Sequence, residues 1–263
     1  MPVTFIQSGR FGLGGYSYTN SEAADLVARM SSAPNDTRKG VIDTCIGSLK
    51  TAGVWAKLDA LYLFAAHDNQ AALLNWKGAT YDATAVNSPT FTTNRGFTGV
   101  STGYVDSNFN PTTASSPKFV QNSATLGIWS RTSGAIGGLS VGSSTAQITP
   151  LYTDTVNNYF ACKVNNVSGP EIVTGSDGSA LFTATRRGSA TGDGEFYRNA
   201  TTITSTGFGT SATPTNATIR FCGIGAADWL GEALGGFIGE QLSDTEVSDT
   251  YNALNTYRTA VGA

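Results

Sequence analysis

From residue 60 onward the chain is a succession of short apolar bursts with hydrophobic residues at every second position. Gly, Asn, Ser and Pro interrupt them at intervals of roughly ten residues, the spacing of strands joined by tight turns. The bursts include "ALYLFAA", "SPTFTTNRGFTG", "TGYVDSNFNP", "SATLGIWSRTS", "GGLSVGSS", "AQITPLYTD", "NNYFACKVN", "SALFTATRRG", "GEFYRNATTI" and "ATIRFCGIG". The pattern predicts a mainly β protein, an antiparallel jelly-roll sandwich. "ALYLFAA" is apolar on both faces and is expected to be a strand buried on both sides.

Two other periods flank this region. In "TNSEAADLVARM", Thr19 stands three residues before Glu22, the spacing of a capping box, and Ala23, Leu26, Val27 and Met30 share a helix face. In "NDTRKGVIDTCIGSLKTAG", Asn35 or Asp36 caps a second helix with Val41, Ile42, Cys45, Ile46 and Leu49 in one stripe. Gly53 occupies the position of a C-terminal capping glycine. At the other end "GGFIGEQ" reads as a last strand. Ser243 and Glu246 then open a closing helix with Val247, Tyr251, Leu254 and Arg258 on one face. The organisation expected is an extended arm over 1–20, a helical hairpin over 21–59 and a sandwich closed by a helix over 60–263. The arm has no period but carries Phe5, Phe11, Tyr16 and Tyr18, which suit anchoring on the body or on another subunit.

Charged residues make up 13% of the chain, about half the share usual in soluble domains, so the surface is polar but close to neutral. Net charge is −3 and the basic residues are scattered, which argues against a nucleic-acid partner. No apolar run approaches the roughly 20 residues that span a membrane. "MPVTFIQSGRFGLGGYSYTN" has no basic segment followed by an apolar one, so export by a signal peptide is not expected. Synthesis in the cytoplasm without export by the general route is expected, which leaves release as part of a particle open.

The element order resembles a concanavalin A-like, laminin G-type jelly roll. In that family a tryptophan-bearing strand precedes a Tyr-x-Asn-Gly hairpin, and a Leu-Ser-acidic segment opens a terminal helix. Trp129, Tyr197–Asn199 and Leu242–Val247 match, while Ala200 stands where the family has glycine. The lead-in "RKGVIDTCIGSLKTAGVWAKLDALYLFAAHDNQAALLNWKG" is similar to segments preceding such jelly rolls in phage and prophage virion proteins. The resemblance implies a non-enzymatic decoration, fibre or tail component whose partners are other virion proteins and copies of itself, as a homo-oligomer.

The single histidine, His67, precedes Asp68. Neighbours on a strand end point apart, so this pair reads as packing, with Asp68 or Asn69 capping "QAALLNW". Asp193 and Glu195 in "TGDGEFY" resemble the paired carboxylates of a glycosidase, but Asp-Gly is foremost a hairpin signal. "TGSDGS" at 174–179 offers one carboxylate, Asp177, where calcium needs several oxygens; no cofactor is expected, a structural calcium ion held by backbone oxygens apart. Cys45, Cys162 and Cys222 show no metal spacing. They read as small buried hydrophobes, except that Cys222, in phase with Arg220, is expected to face outward and is the disulfide candidate. The alternative function is a carbohydrate-binding adhesin, for which Tyr104 and Trp229 are the candidate aromatic platforms, with packing or a subunit contact the stronger reading of Trp229. Trp55, Trp76 and Trp129 lie in apolar or strand contexts and are assigned to the core.

Overall fold

The apolar stretch that begins at Leu58 shows how the fold is built. Ala60, Tyr62 and Phe64 enter one hydrophobic core while Leu61, Leu63 and Ala65 enter another on the opposite side. Alternation along a strand thus serves two cores, which is why the segment is apolar throughout. The computed structural model describes residues 15–100, 102–132, 149–154, 159–167, 171–175, 177–203, 208–223 and 231–263.

Elements are numbered in chain order. The helices are α1 (Ser21–Ala28), α2 (Asp36–Thr51), α3 (Val54–Lys57), α4 (Asn69–Leu73) and α5 (Asp244–Val261). The strands are β1 (Leu58–Leu63), β2 (Thr84–Val86), β3 (Thr90–Thr92), β4 (Gly96–Thr98), β5 (Tyr104–Asp106), β6 (Ala124–Ser130) and β7 (Thr149–Asp154). They continue with β8 (Tyr159–Lys163), β9 (Glu171–Thr174), β10 (Ala180–Arg186), β11 (Gly194–Arg198), β12 (Thr201–Thr202), β13 (Arg220–Phe221) and β14 (Glu232–Gly239).

One large antiparallel sheet runs β12-β11-β10-β6-β14-β4-β3, with β1 paired to β14 beside β4. Two small sheets, β13-β5-β2 and β7-β8-β9, form the second layer. Between the layers lie Phe97, Phe109, Phe182, Phe196, Phe221 and their neighbours. On the other face of the large sheet, Trp129, Leu181, Tyr197, Leu234 and Phe237 pack against the apolar stripes of α1, α2 and α5. The fold is therefore an antiparallel sandwich with a helical layer on its back. Each fully buried Phe or Leu in these cores contributes on the order of 2 kcal/mol by leaving water.

Gly127, on the central strand β6, is where the helical layer needs a glycine. A Cβ there would fall 2.1 Å from the ring of Phe237, its cross-strand partner on β14. The bare backbone lets that ring lie flat across β6 beneath the helices.

Several local expectations hold. Asn35 caps α2 by accepting from Arg38 N, and Asp68 caps α4 by accepting from Ala71 N at 2.8 Å. Gly53 has φ +75 just past α2. Ser243 and Glu246 form a reciprocal capping box at α5. Replacing Ser243 with alanine is expected to cost about 1 kcal/mol, read as a lower urea midpoint at unchanged slope.

Other expectations are corrected. Asn20, not Thr19, is the N-cap of α1, and its side chain makes no capping bond because it binds Asp43 instead. "SPTFTTNRGFTG" is two strands, β3 and β4, since Asn94 at φ +63 turns the chain between them. Val54–Lys57 form a short helix, α3, that runs directly into β1. "GGLSVGSS" lies outside the described residues. Among the described residues no helix is long and apolar enough to cross a membrane.

Candidate functional site

The small sheet β13-β5-β2 carries a polar aromatic patch on its outer side. Alternation along β5 buries Val105 and turns Tyr104 and Asp106 outward, both half-buried among their neighbours. Arg220, paired with Asp106 across β13, lays its guanidinium 4.4 Å from the centroid of the Tyr104 ring. Its Nε is 3.7 Å from Asp106 Oδ2. The Asp106 carboxylate also accepts from Thr218 Oγ1 and from Asn108 N, each at 2.8 Å. Asn108 Nδ2 in turn donates to Thr84 Oγ1 and Asp82 O, binding the loop after β5 to β2. The result is a tyrosine ring held in place by a cation, beside carboxylate, amide and hydroxyl groups that are themselves fixed. An aromatic surface bordered by oriented polar groups suits a sugar ring, with its apolar face and its hydroxyl edge.

Of the residues singled out in sequence, Tyr104 is thus part of a constructed patch. Trp229, Phe5 and Phe11 lie outside the described residues. Tyr16 and Tyr18 meet edge to face at 4.8 Å. The arm segment they open converges on Asp43 of α2, which receives Thr19 N at 2.7 Å, Asn20 N at 2.9 Å, Asn20 Nδ2 at 2.8 Å and Tyr16 Oη at 3.2 Å. Burial opposes its charge, but these donors outweigh it and hold the Asp43 carboxyl below the usual range.

Cys222 faces inward, not outward. It is wholly buried at φ +61, with Sγ 3.7 Å from Phe97 O, because the left-handed residue breaks the strand alternation that began at Arg220. All three cysteines are free and buried, and burial pushes the Cys45 thiol up to about 12 and Cys222 up as well. A disulfide from Cys222 to a neighbouring chain would require the core to open.

His67 and Asp68 do touch, contrary to the expectation from strand geometry. The chain leaves β1 before reaching them, and His67 Nε2 lies 3.1 Å from Asp68 Oδ2. That nitrogen is 2.7 Å from Ser32 O, so it is the protonated donor and not a base. The other carboxylate oxygen caps α4, so the pair ties the 31–32 loop to the start of that helix. Asp193 is a turn residue, accepting from Ala190 N at 2.7 Å, and Glu195 pairs with Arg187 at 2.6 Å. Asp177 pairs with Arg198 at 2.7 Å and caps Ser179 N. Among the described residues no three His, Cys, Asp or Glu gather into a metal cluster.

One network was not visible in sequence. Tyr197 on β11, fully buried, contacts Glu195, Asp244 and Arg187 with its hydroxyl, at 2.8 Å from Asp244 and 2.9 Å from Arg187. Burial and then the two carboxylates raise the phenol far above its ordinary value. Asp244 belongs to the first turn of α5, so the network fastens that helix to the sheet. The tyrosine was legible as part of a hairpin motif, but two of its three partners, Arg187 and Asp244, lie 10 and 47 residues away.

These features define an antiparallel β-sandwich with a polar aromatic patch on the outer side of one small sheet. No family model and no curated protein matches the chain. Among solved structures it is similar to Trypanosoma rangeli sialidase in complex with sialic acid, at TM-score 0.55 and 10% identity, covering 83% of this chain and 39% of that one. It is also similar to botulinum neurotoxin type C, in a structure concerned with cell entry through two ganglioside molecules. That match has TM-score 0.52 and 14% identity and covers 78% of this chain and 53% of the other. The chain thus spans about two fifths and about half of these neighbours, and the likeness is one of fold.

Proposed function

We propose that this chain is a non-catalytic glycan-binding module that holds sugars on the outer face of the β13-β5-β2 sheet. The observation that carries the reading is the Tyr104 ring fixed by Arg220, with Asp106 and Asn108 beside it. Tyr104 supplies the stacking surface, Arg220 the donors and the Asp106 edge the acceptors. The sialic acid and ganglioside ligands of the two fold neighbours agree with a sugar-binding use of such a sandwich. Binding without hydrolysis is supported by the engagement of Asp193 and Glu195 in turn and ion-pair contacts. The setting we propose, from the resemblance of residues 38–78 to virion lead-in segments, is a phage particle surface on which the sandwich is displayed.

A glycan array followed by calorimetry on the best ligand tests the reading. Tyr104→Ala is expected to weaken binding at least about tenfold, the loss of one aromatic platform, with the melting temperature little changed. Array silence for the intact protein, or full affinity in Tyr104→Ala, would reject the patch as the site.

A further inference from the structure

A sizeable hollow lies on the helical back, away from the Tyr104 patch. A groove of about 690 Å³ runs between α2 and α5, floored by Thr44, Ser48, Ala253 and Thr256. A second hollow of about 240 Å³ continues it past Gly40 toward Ala260, and Tyr16, Thr44, Ser48, Ala253 and Thr256 border both. Surface helices ordinarily present long charged side chains on their outer face. Here the outward positions of the two helices are short and mostly neutral, so their backbones leave a trough.

Tyr16 stands at the junction of the two hollows. Its ring lies over Gly40, where a Cβ would come within 3.4 Å, and its hydroxyl is tied to Asp43. The chain immediately before it, residues 1–14, is "MPVTFIQSGRFGLG", with apolar Val3, Phe5, Ile6, Phe11 and Leu13 and a single charged side chain, Arg10. Fourteen extended residues reach up to roughly 46–50 Å, and the sixteen residues of α2 span about 24 Å. The segment is thus long enough to fill the groove from the point where the chain already enters it. Its mostly apolar composition matches a trough lined chiefly by small neutral side chains, in which the carboxylates are Asp43, already bound by Tyr16, Thr19 and Asn20, and Asp249.

We propose that the α2/α5 groove is the docking site for this chain's own N-terminal segment, residues 1–14. The arm and the helical layer then form one unit whose outer surface is the arm. This role is independent of the glycan-binding reading and fails or stands separately from it.

Limited trypsin digestion of the full chain tests it, because Arg10 is the single cleavage site within residues 1–14. Ser48→Trp fills the groove from an exposed position and leaves the buried stripe of α2 intact. Leu13→Ser alters the arm and leaves the folded body untouched. Both variants are expected to lose residues 1–10 about tenfold faster than the unsubstituted protein, with unchanged melting temperature, as release of a protected segment requires. Protection should be independent of protein concentration. Equal cleavage rates in all three proteins would overturn the proposal. So would protection that disappears on dilution, which would assign the groove to the arm of a second copy.

Discussion

Arg186→Met is expected to lower the stability of the fold by about 3 kcal/mol, because it takes the donor from one buried and two part-buried carbonyls. Arg186 closes β10 and is 0% exposed. Its Nε donates to Val164 O at 2.8 Å, Nη2 to Gly209 O at 2.9 Å and Nη1 to Gly188 O at 3.4 Å. The guanidinium also lies 5.4 Å from the Phe208 ring. Burial pulls its proton affinity down, and the charge of Asp193 partly restores it. One planar fork thereby gathers the end of β8, the β10–β11 loop and the segment after residue 208 into a single end of the sandwich. Methionine retains the length of the stem but none of the donors. In a domain of this size the loss corresponds to a fall of roughly 6–12 °C in melting temperature. Lysine retains the charge but not the fork and should fall between the two. A urea midpoint for Arg186→Met within error of the parent would show that the three loops hold together without it.

Gly127→Val should be comparably damaging for a different reason. The Phe237 ring occupies the space a side chain would need, and the ring is itself 0% exposed beneath the helices. Overpacking alone costs about 1–3 kcal/mol, and displacing the ring adds the loss of its burial. The combined effect should approach 4 kcal/mol and expose the helical layer to hydrogen exchange before the sandwich. Adding Phe237→Ala to Gly127→Val vacates the contested space. The double variant should therefore be more stable than the sum of the two single effects predicts, by about 1 kcal/mol or more. Strict additivity would mean that the two residues do not compete for the same volume.

Much of this architecture was legible because the relevant interactions are local. Asn35, Asp68 and Ser243 each cap a helix through the N–H three residues on, so their roles follow from spacing. The double apolar run of β1 declared itself buried on both faces. Cys222 and the His67–Asp68 pair were misread because each inference extended strand alternation past the point where the strand ends. Thr19 was misread as a cap because Asp43, 24 residues away, draws the chain before α1 onto α2.

The candidate site divides in the same way. Tyr104 stood out as an aromatic residue in a polar strand, but nothing near it named Arg220, 116 positions later, as the cation beneath its ring. Trp129 was assigned to the core, and it does stack on Tyr251 and meet Arg258, but on the helical side rather than inside the sandwich. By itself the sequence determined the mainly β class, the caps of α2, α4 and α5 and the buried stripes, since periods of two and 3.6 and the reach of a capping side chain are set by backbone geometry. The three layers, the Arg186 hub, the Tyr197 network and the α2/α5 groove were decided only by the tertiary structure. Each depends on which strands and helices become neighbours, and that pairing is chosen by the summed packing of two cores rather than by any one segment.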